Sequence, residues 1–141
     1  MLVLNAEAKS ALTAGRLAHL VTINLDGSPQ VSIVWVGVEA DEIVCAHLGQ
    51  GRKLANIARD PRVVLSMEAA GRNDIGLDRY LVVHGTARIT EGGGPELLQR
   101  LAHVYLGPDV RFPPFEDPPP GHVIRITAER VGGVGPWTEN D

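Results

Sequence analysis

Four side chains suited to holding an anion fall within one short stretch: Arg52, Lys53, Asn56 and Arg59, inside Gly49-Gln-Gly-Arg-Lys-Leu-Ala-Asn-Ile-Ala-Arg-Asp-Pro-Arg62. Asp60-Pro61 closes the run, because the residue before a proline is pushed out of the α region. Upstream of that stop the spacing predicts a short helix with Arg52 and Lys53 in its first turn. There the unpaired backbone N–H groups and the positive end of the helix dipole already favour a negative ligand. Two cations at that end oppose the dipole at about 0.3–1 kcal/mol each, a penalty that a bound phosphate or carboxylate reverses. Asn56 and Arg59 follow on roughly one face of the same helix. The competing reading of these residues is an exposed Gly-x-Gly turn carrying solvated charges.

No other reactive constellation accompanies this stretch. His19, His47, His84, His103 and His122 form no H-x-H, H-x-x-x-H or Cys/His cluster. Cys45-x-His47 puts two potential ligands on one strand face, and two ligands do not make a zinc site, so no metal is expected. Cys45 is the only cysteine, which rules out an intrachain disulfide, and its apolar neighbours predict a buried, inert thiol. Ser32 and Ser66 lack a nucleophile elbow, and no carboxylate pair stands where glycosidase or protease chemistry needs one. No catalytic residue is therefore assigned. An anion cradle without a nucleophile of its own leaves the chemistry to a bound cofactor. Gln30-Val-Ser-Ile-Val-Trp-Val36 offers backbone amides, a hydroxyl and Trp35 to a flat heterocycle, although a tryptophan in an apolar strand more often packs a core.

The elements that must position these residues read as strands joined by short turns. Asn5 can cap a helix over Ala6 to Ala14, with Gly15 ending it. Strands are expected over 17–25, 30–38, 43–47, 63–69, 80–90 and 122–127, with hairpin turns at Asp26-Gly27 and Ala40-Asp-Glu and a further helix from about Pro95 to Leu106. Six strands with few crossover helices favour a mainly β fold, an antiparallel barrel with short flanking helices. No Gly-x-Gly-x-x-Gly links strand to helix, so a Rossmann domain is not expected. At 141 residues one domain is expected over 1–141, able to bury roughly two thirds of its unfolded surface. The segment 107–121 holds six of the ten prolines with Phe112 and Phe115, and is expected as an arm or lid; 128–141 is expected as a glycine-rich tail carrying Trp137.

With 44% hydrophobic and 21% charged residues the composition is that of an ordinary globular protein. A formal charge of −4 argues against nucleic acid as a partner, since binding to phosphate backbones needs clustered cations. No run approaches the roughly 20 apolar residues of a membrane span. The amino terminus lacks a signal peptide's charged start and apolar centre, and the expected location is the cytoplasm.

In order along the chain, five pieces resemble the flavin/deazaflavin-binding split β-barrel proteins related to pyridoxamine 5′-phosphate oxidase. They are the amino-terminal helix, Leu20-Val-Thr-Ile-Asn-Leu-Asp-Gly-Ser-Pro-Gln-Val-Ser32, Gly51-Arg-Lys-Leu-Ala-Asn-Ile-Ala-Arg-Asp-Pro-Arg-Val63, Val83-His-Gly-Thr-Ala-Arg-Ile89 and Ile124-Arg-Ile-Thr-Ala-Glu-Arg-Val131. Lys-x-x-Asn-x-x-Arg-Asp-Pro-Arg is the more specific motif; Gly-Thr-Ala is supportive. Within the family the chain is similar to the branch that uses the deazaflavin coenzyme F420, with FMN as the alternative. The resemblance implies a six-stranded split barrel and a homodimer with the cofactor at the subunit interface. It implies that Lys53, with Gly51, Arg52 and Asn56, holds the cofactor's phosphate or acidic tail. Ser32, Ile33, Val34 and Trp35 would line the ring, His47 would lie near the phosphate-bearing arm, and Trp137 would reach the partner's pocket. Ala55 departs from the pattern, standing where many relatives carry another basic residue. The implied activity is hydride transfer to a small conjugated acceptor such as a quinone or a tetrapyrrole-like pigment. The alternatives are an FMN-dependent oxidase or reductase, and a non-catalytic protein that binds flavin, deazaflavin or haem.

Overall fold

The computed structural model describes residues 4–138 and arranges them in three helices and seven strands. The expected domain limits at 1–3 and 139–141 lie outside the described residues. Asn5 caps α1 (Ala6–Leu12) by accepting from the Ala8 amide at 2.8 Å. β1 (Ala18–Ile23) and β2 (Pro29–Val34) make a hairpin around Asp26-Gly27, where the Asp26 carboxylate accepts from the backbone and hydroxyl of Ser28. Then follow β3 (Gly37–Glu39), β4 (Glu42–His47), α2 (Arg52–Arg59), β5 (Arg62–Arg72), β6 (Asp78–Glu91), α3 (Gly94–Tyr105) and β7 (His122–Val134).

All strand pairs are antiparallel, in the order β2-β1-β5-β6-β7-β4-β3. The two edge strands, β2 and β3, are consecutive in the chain with only Trp35 and Val36 between them. Three backbone steps span at most about 10 Å, so the sheet must curl until its edges nearly meet. β2 and β3 share no ladder, so the trough stays open along that line. The expected six-stranded barrel is thus corrected to seven strands in an unclosed sheet. The run 30–38 is two strands because at Trp35 the chain leaves β1 and crosses to pair with β4.

A second correction concerns the tail. Residues 128–134 are strand, since β7 pairs along β6 from His122 opposite Glu91 to Val134 opposite Tyr80. Gly132 and Gly133 hide this in the sequence, because glycine is a poor strand former. Gly133 meets a steric need: at φ +105° its absent Cβ would lie 2.2 Å from the Tyr80 carbonyl oxygen.

Alternation along the strands fills the trough. On β1, Ala18, Leu20 and Thr22 are buried, whereas His19, Val21 and Ile23 face outward. Leu12, Leu20, Ile43, Leu65, Leu81, Ile124 and Ile126 are fully buried in one core, each worth about 1.5–3 kcal/mol of transfer free energy. A smaller cluster of Val44, Leu97, Leu101 and Val123 seats α3 on the opposite face of β4 and β7. The proline-rich segment 107–121 is tied to its own chain, with Gly92 and Gly94 amides donating to the Gly121 and Pro120 carbonyls at 2.8 and 2.9 Å. Among the described residues no helix is long and apolar enough to cross a membrane.

Candidate functional site

α2 starts without a cap. Gly51 is extended and has no side chain to accept from the first turn, and no acidic residue stands there, so the leading amides remain available to an anion. Leu54 and Ile57 hold the helix on the core. At its other end Asp60 ends the helix and accepts from Arg62, whose hydrogen bonds and charge pull the Asp60 carboxyl from 3.8 to about 2.

Asn56 locks α2 to the hairpin. It is only 2% exposed, and its Nδ2 donates to Thr22 Oγ1 and Asn24 Oδ1, both at 3.0 Å. Arg59 donates to Asn56 Oδ1 at 3.1 Å and to the Ile23 carbonyl. The Asn56 amide, expected to grip a cofactor, is engaged in this structure by Thr22, Asn24 and Arg59 of its own chain, which ties the helix to the hairpin.

Arg52 and Lys53 serve different sides of the helix. Arg52 lines an open cleft of about 560 Å³ with Asn24, Leu25, Asp26, Ser28, Asn56 and Arg59. Across it, hydrogen bonds from Ser28 and then the Arg52 charge hold the Asp26 carboxyl below the usual range. The charge of Lys53 is felt by Cys45 and His47 on β4. Burial first, then the Lys53 charge, lowers the pKa of His47, against a hydrogen bond to the Gln50 backbone that raises it. Gly51 lies directly on this ring, since a Cβ there would fall 2.9 Å from His47 Nε2. His122 stands opposite His47 across β4 and β7, and burial leaves its Nδ1 without a partner. Cys45 is fully buried, and desolvation pushes its thiol up to about 12, which makes it inert.

The remaining expected residues are spread along the molecule. Ser32 lies opposite Leu20 on the trough side of β2 and is half-buried, Ile33 faces outward opposite His19, and Val34 is buried. Trp35 stacks on Tyr105 and tilts against Phe112, so its ring is committed to the protein. Trp137 Nε1 donates to the Tyr80 carbonyl at 3.1 Å. Ala87, whose amide donates to Pro61 just past α2, is seven residues along β6 from Tyr80. At about 3.3 Å per residue the two ends are roughly 23 Å apart. Gly51 and Lys53 thus meet His47 on one side of the start of α2 and Arg52 and Asn56 border the hairpin cleft on the other, while Trp35 and Trp137 join neither group within one chain. Asn24, Asp26 and Ser28 form the cleft's second wall and were missed, because in sequence they are ordinary turn residues. Among the described residues no group of three or more His, Cys, Asp or Glu can hold a metal.

The site is thus a curled, unclosed antiparallel sheet with an uncapped, cation-bearing helix at its mouth. The chain belongs to the pyridoxamine 5′-phosphate oxidase family, whose profile matches residues 4–135. Among solved structures it is similar to an F420 reductase, at 25% identity over 88% of this chain and 94% of the other, with a TM-score of 0.71. It is also similar to a conserved hypothetical protein of Mycobacterium tuberculosis, at 26% identity over 99% and 88%, TM-score 0.69. A putative pyridoxamine 5′-phosphate oxidase of Listeria innocua shares the fold, at 16% identity over 87% and 91%, TM-score 0.62. No curated protein matches the sequence.

Proposed function

We propose that the protein is an F420-dependent oxidoreductase that passes hydride between the deazaflavin and a small conjugated acceptor. The observation that carries this is the state of the cations. Seven of the thirteen Lys and Arg side chains pair with a carboxylate; among the described residues Arg52, Lys53, Arg59, Arg79, Arg111 and Arg130 do not, and of these six Arg52 and Lys53 are the two that stand at the uncapped start of a helix. Unpaired cations beside free helix amides suit a phosphate. Lys53, the Gly51–Lys53 backbone and His47 would hold that group, and the Arg52 cleft would take a further acidic extension. FMN ends at its phosphate and would leave that cleft unused, which favours the tailed deazaflavin. The similarity to an F420 reductase supports the same reading.

Bound deazaflavin would supply the hydride. The protein's own part is to hold the phosphate, exclude water and present the trough face of β2 around Ser32 to the ring. The outer face of β1, β2 and β5 carries Val21, Ile23, Val31, Ile33 and Val64, with Val31 and Ile33 each 54% exposed. This apolar surface favours a homodimer, and Trp137, remote from α2 in its own chain, can contribute to the site only across that interface.

Fluorescence titration with F420 and with FMN tests the reading. Micromolar F420 binding is expected, followed by hydride transfer from the reduced cofactor to a member of a quinone or enone panel. Binding of FMN alone would overturn the deazaflavin assignment, and F420 binding without transfer would leave a carrier protein.

A further inference from the structure

Trp35 and Val36, which join the two edges of the sheet, belong to no strand, yet one side chain holds both. Tyr105, at the end of α3, stacks on the Trp35 ring with 5.3 Å between centroids and 14° between planes. Its hydroxyl accepts from the Val36 amide at 3.0 Å and donates to the Arg16 carbonyl at 2.7 Å. Phe112, from the proline-rich segment, closes on Trp35 at 5.2 Å and 57°. That segment reaches its place through a clip: Gln99 Nε2 donates to the Val110 carbonyl at 2.8 Å, and Gln99 Oε1 accepts from the Phe112 amide at 3.0 Å. Gln99 thus satisfies the segment's backbone as a neighbouring strand would.

β2 is an edge strand with a single neighbour, β1. An edge strand lacks the second ladder that fixes a central one, and directly past its Val34 end the chain is held instead through Trp35, stacked on Tyr105 and tilted against Phe112, and through the Val36 amide on the Tyr105 hydroxyl. We propose that Gln99, Phe112 and Tyr105 form a latch that positions β2 for the cofactor ring, so that the proline-rich segment sets ring affinity from a distance. This rests on the reading of β2 as the ring-bearing wall. Gln99, Phe112 and Tyr105 are positioning residues, because each acts through Trp35 or Val36.

The test separates ring from phosphate. Binding is measured for FMN with riboflavin, and for F420 with its phosphate-free deazariboflavin. Phe112→Ala is expected to weaken the phosphate-bearing and phosphate-free forms by the same factor, about three- to tenfold, the range that loss of an aromatic pair commands. Lys53→Ala should weaken only the phosphate-bearing forms. Phe112→Tyr should restore binding, and Gln99→Glu, which sets a carboxylate against the Val110 carbonyl, should repeat the Phe112→Ala pattern if that variant folds poorly. Unchanged affinity for the phosphate-free ring in both Phe112→Ala and Gln99→Glu, with wild type binding it, would overturn the latch and leave the proposed function standing. A wild-type protein that binds neither ring would overturn the proposed function itself.

Discussion

Asn56→Ala should cost stability rather than ligand affinity. The substitution removes two hydrogen bonds donated by Nδ2, to Thr22 Oγ1 and Asn24 Oδ1, and one accepted from Arg59. Thr22 is 1% exposed, so its hydroxyl would be left in the interior without the Asn56 partner. A stranded buried hydroxyl costs about 1–3 kcal/mol, and a typical lost hydrogen bond about 0.5–1.5 kcal/mol. The contact to the exposed Arg59 side chain adds little. The expected loss is about 2–4 kcal/mol, read as a lower urea midpoint at unchanged slope, or a fall in Tm of roughly 6–15 °C for a chain of this size. Normal stability with weakened F420 or FMN binding would refute the argument and return Asn56 to the set of direct cofactor contacts.

Other outcomes follow from the same geometry. Lys53→Ala should weaken binding of a phosphate-bearing cofactor by about 1.5–3 kcal/mol, the range for a charge-assisted hydrogen bond. Without ligand it should leave stability unchanged or slightly raised, because a cation at a helix start opposes the dipole; calorimetry with and without FMN or F420 reads both. His47 has a folded-state pKa below its ordinary 6.5, so the unfolded chain binds the extra proton first and stability should fall as pH drops through 6.5. His47→Asn should flatten that slope in urea midpoints taken at a series of pH values, and a steeper slope would contradict the assignment. Cys45, with its thiol at about 12, should resist a disulfide reagent until the protein is unfolded. Gly51→Ala should fold, since its extended backbone suits any residue, yet lose cofactor affinity because the new methyl displaces the His47 ring.

Local chemistry made much of this protein legible in one dimension. Asn5 as a cap, Asp26-Gly27 as a hairpin turn, Asp60-Pro61 as a helix stop and the alternation along β1 all act between residues close in sequence. The cationic start of α2 was visible for the same reason, since its meaning depends only on helix position and charge. The halves of the site that were not legible depend on contacts between distant segments. The break at Trp35 is set by Tyr105, some seventy residues further on, and the strand character of 128–134 is set by pairing with β6, which overrides the poor propensity of Gly132 and Gly133. Tertiary structure also decided that Asn56 turns inward to Thr22, and that the Arg52 cleft has a second wall, because both follow from how α2 settles against a hairpin roughly thirty residues away. The sequence by itself determined the local turns, caps and charges. Which of those groups meet was decided only when the sheet curled and brought its two edges together.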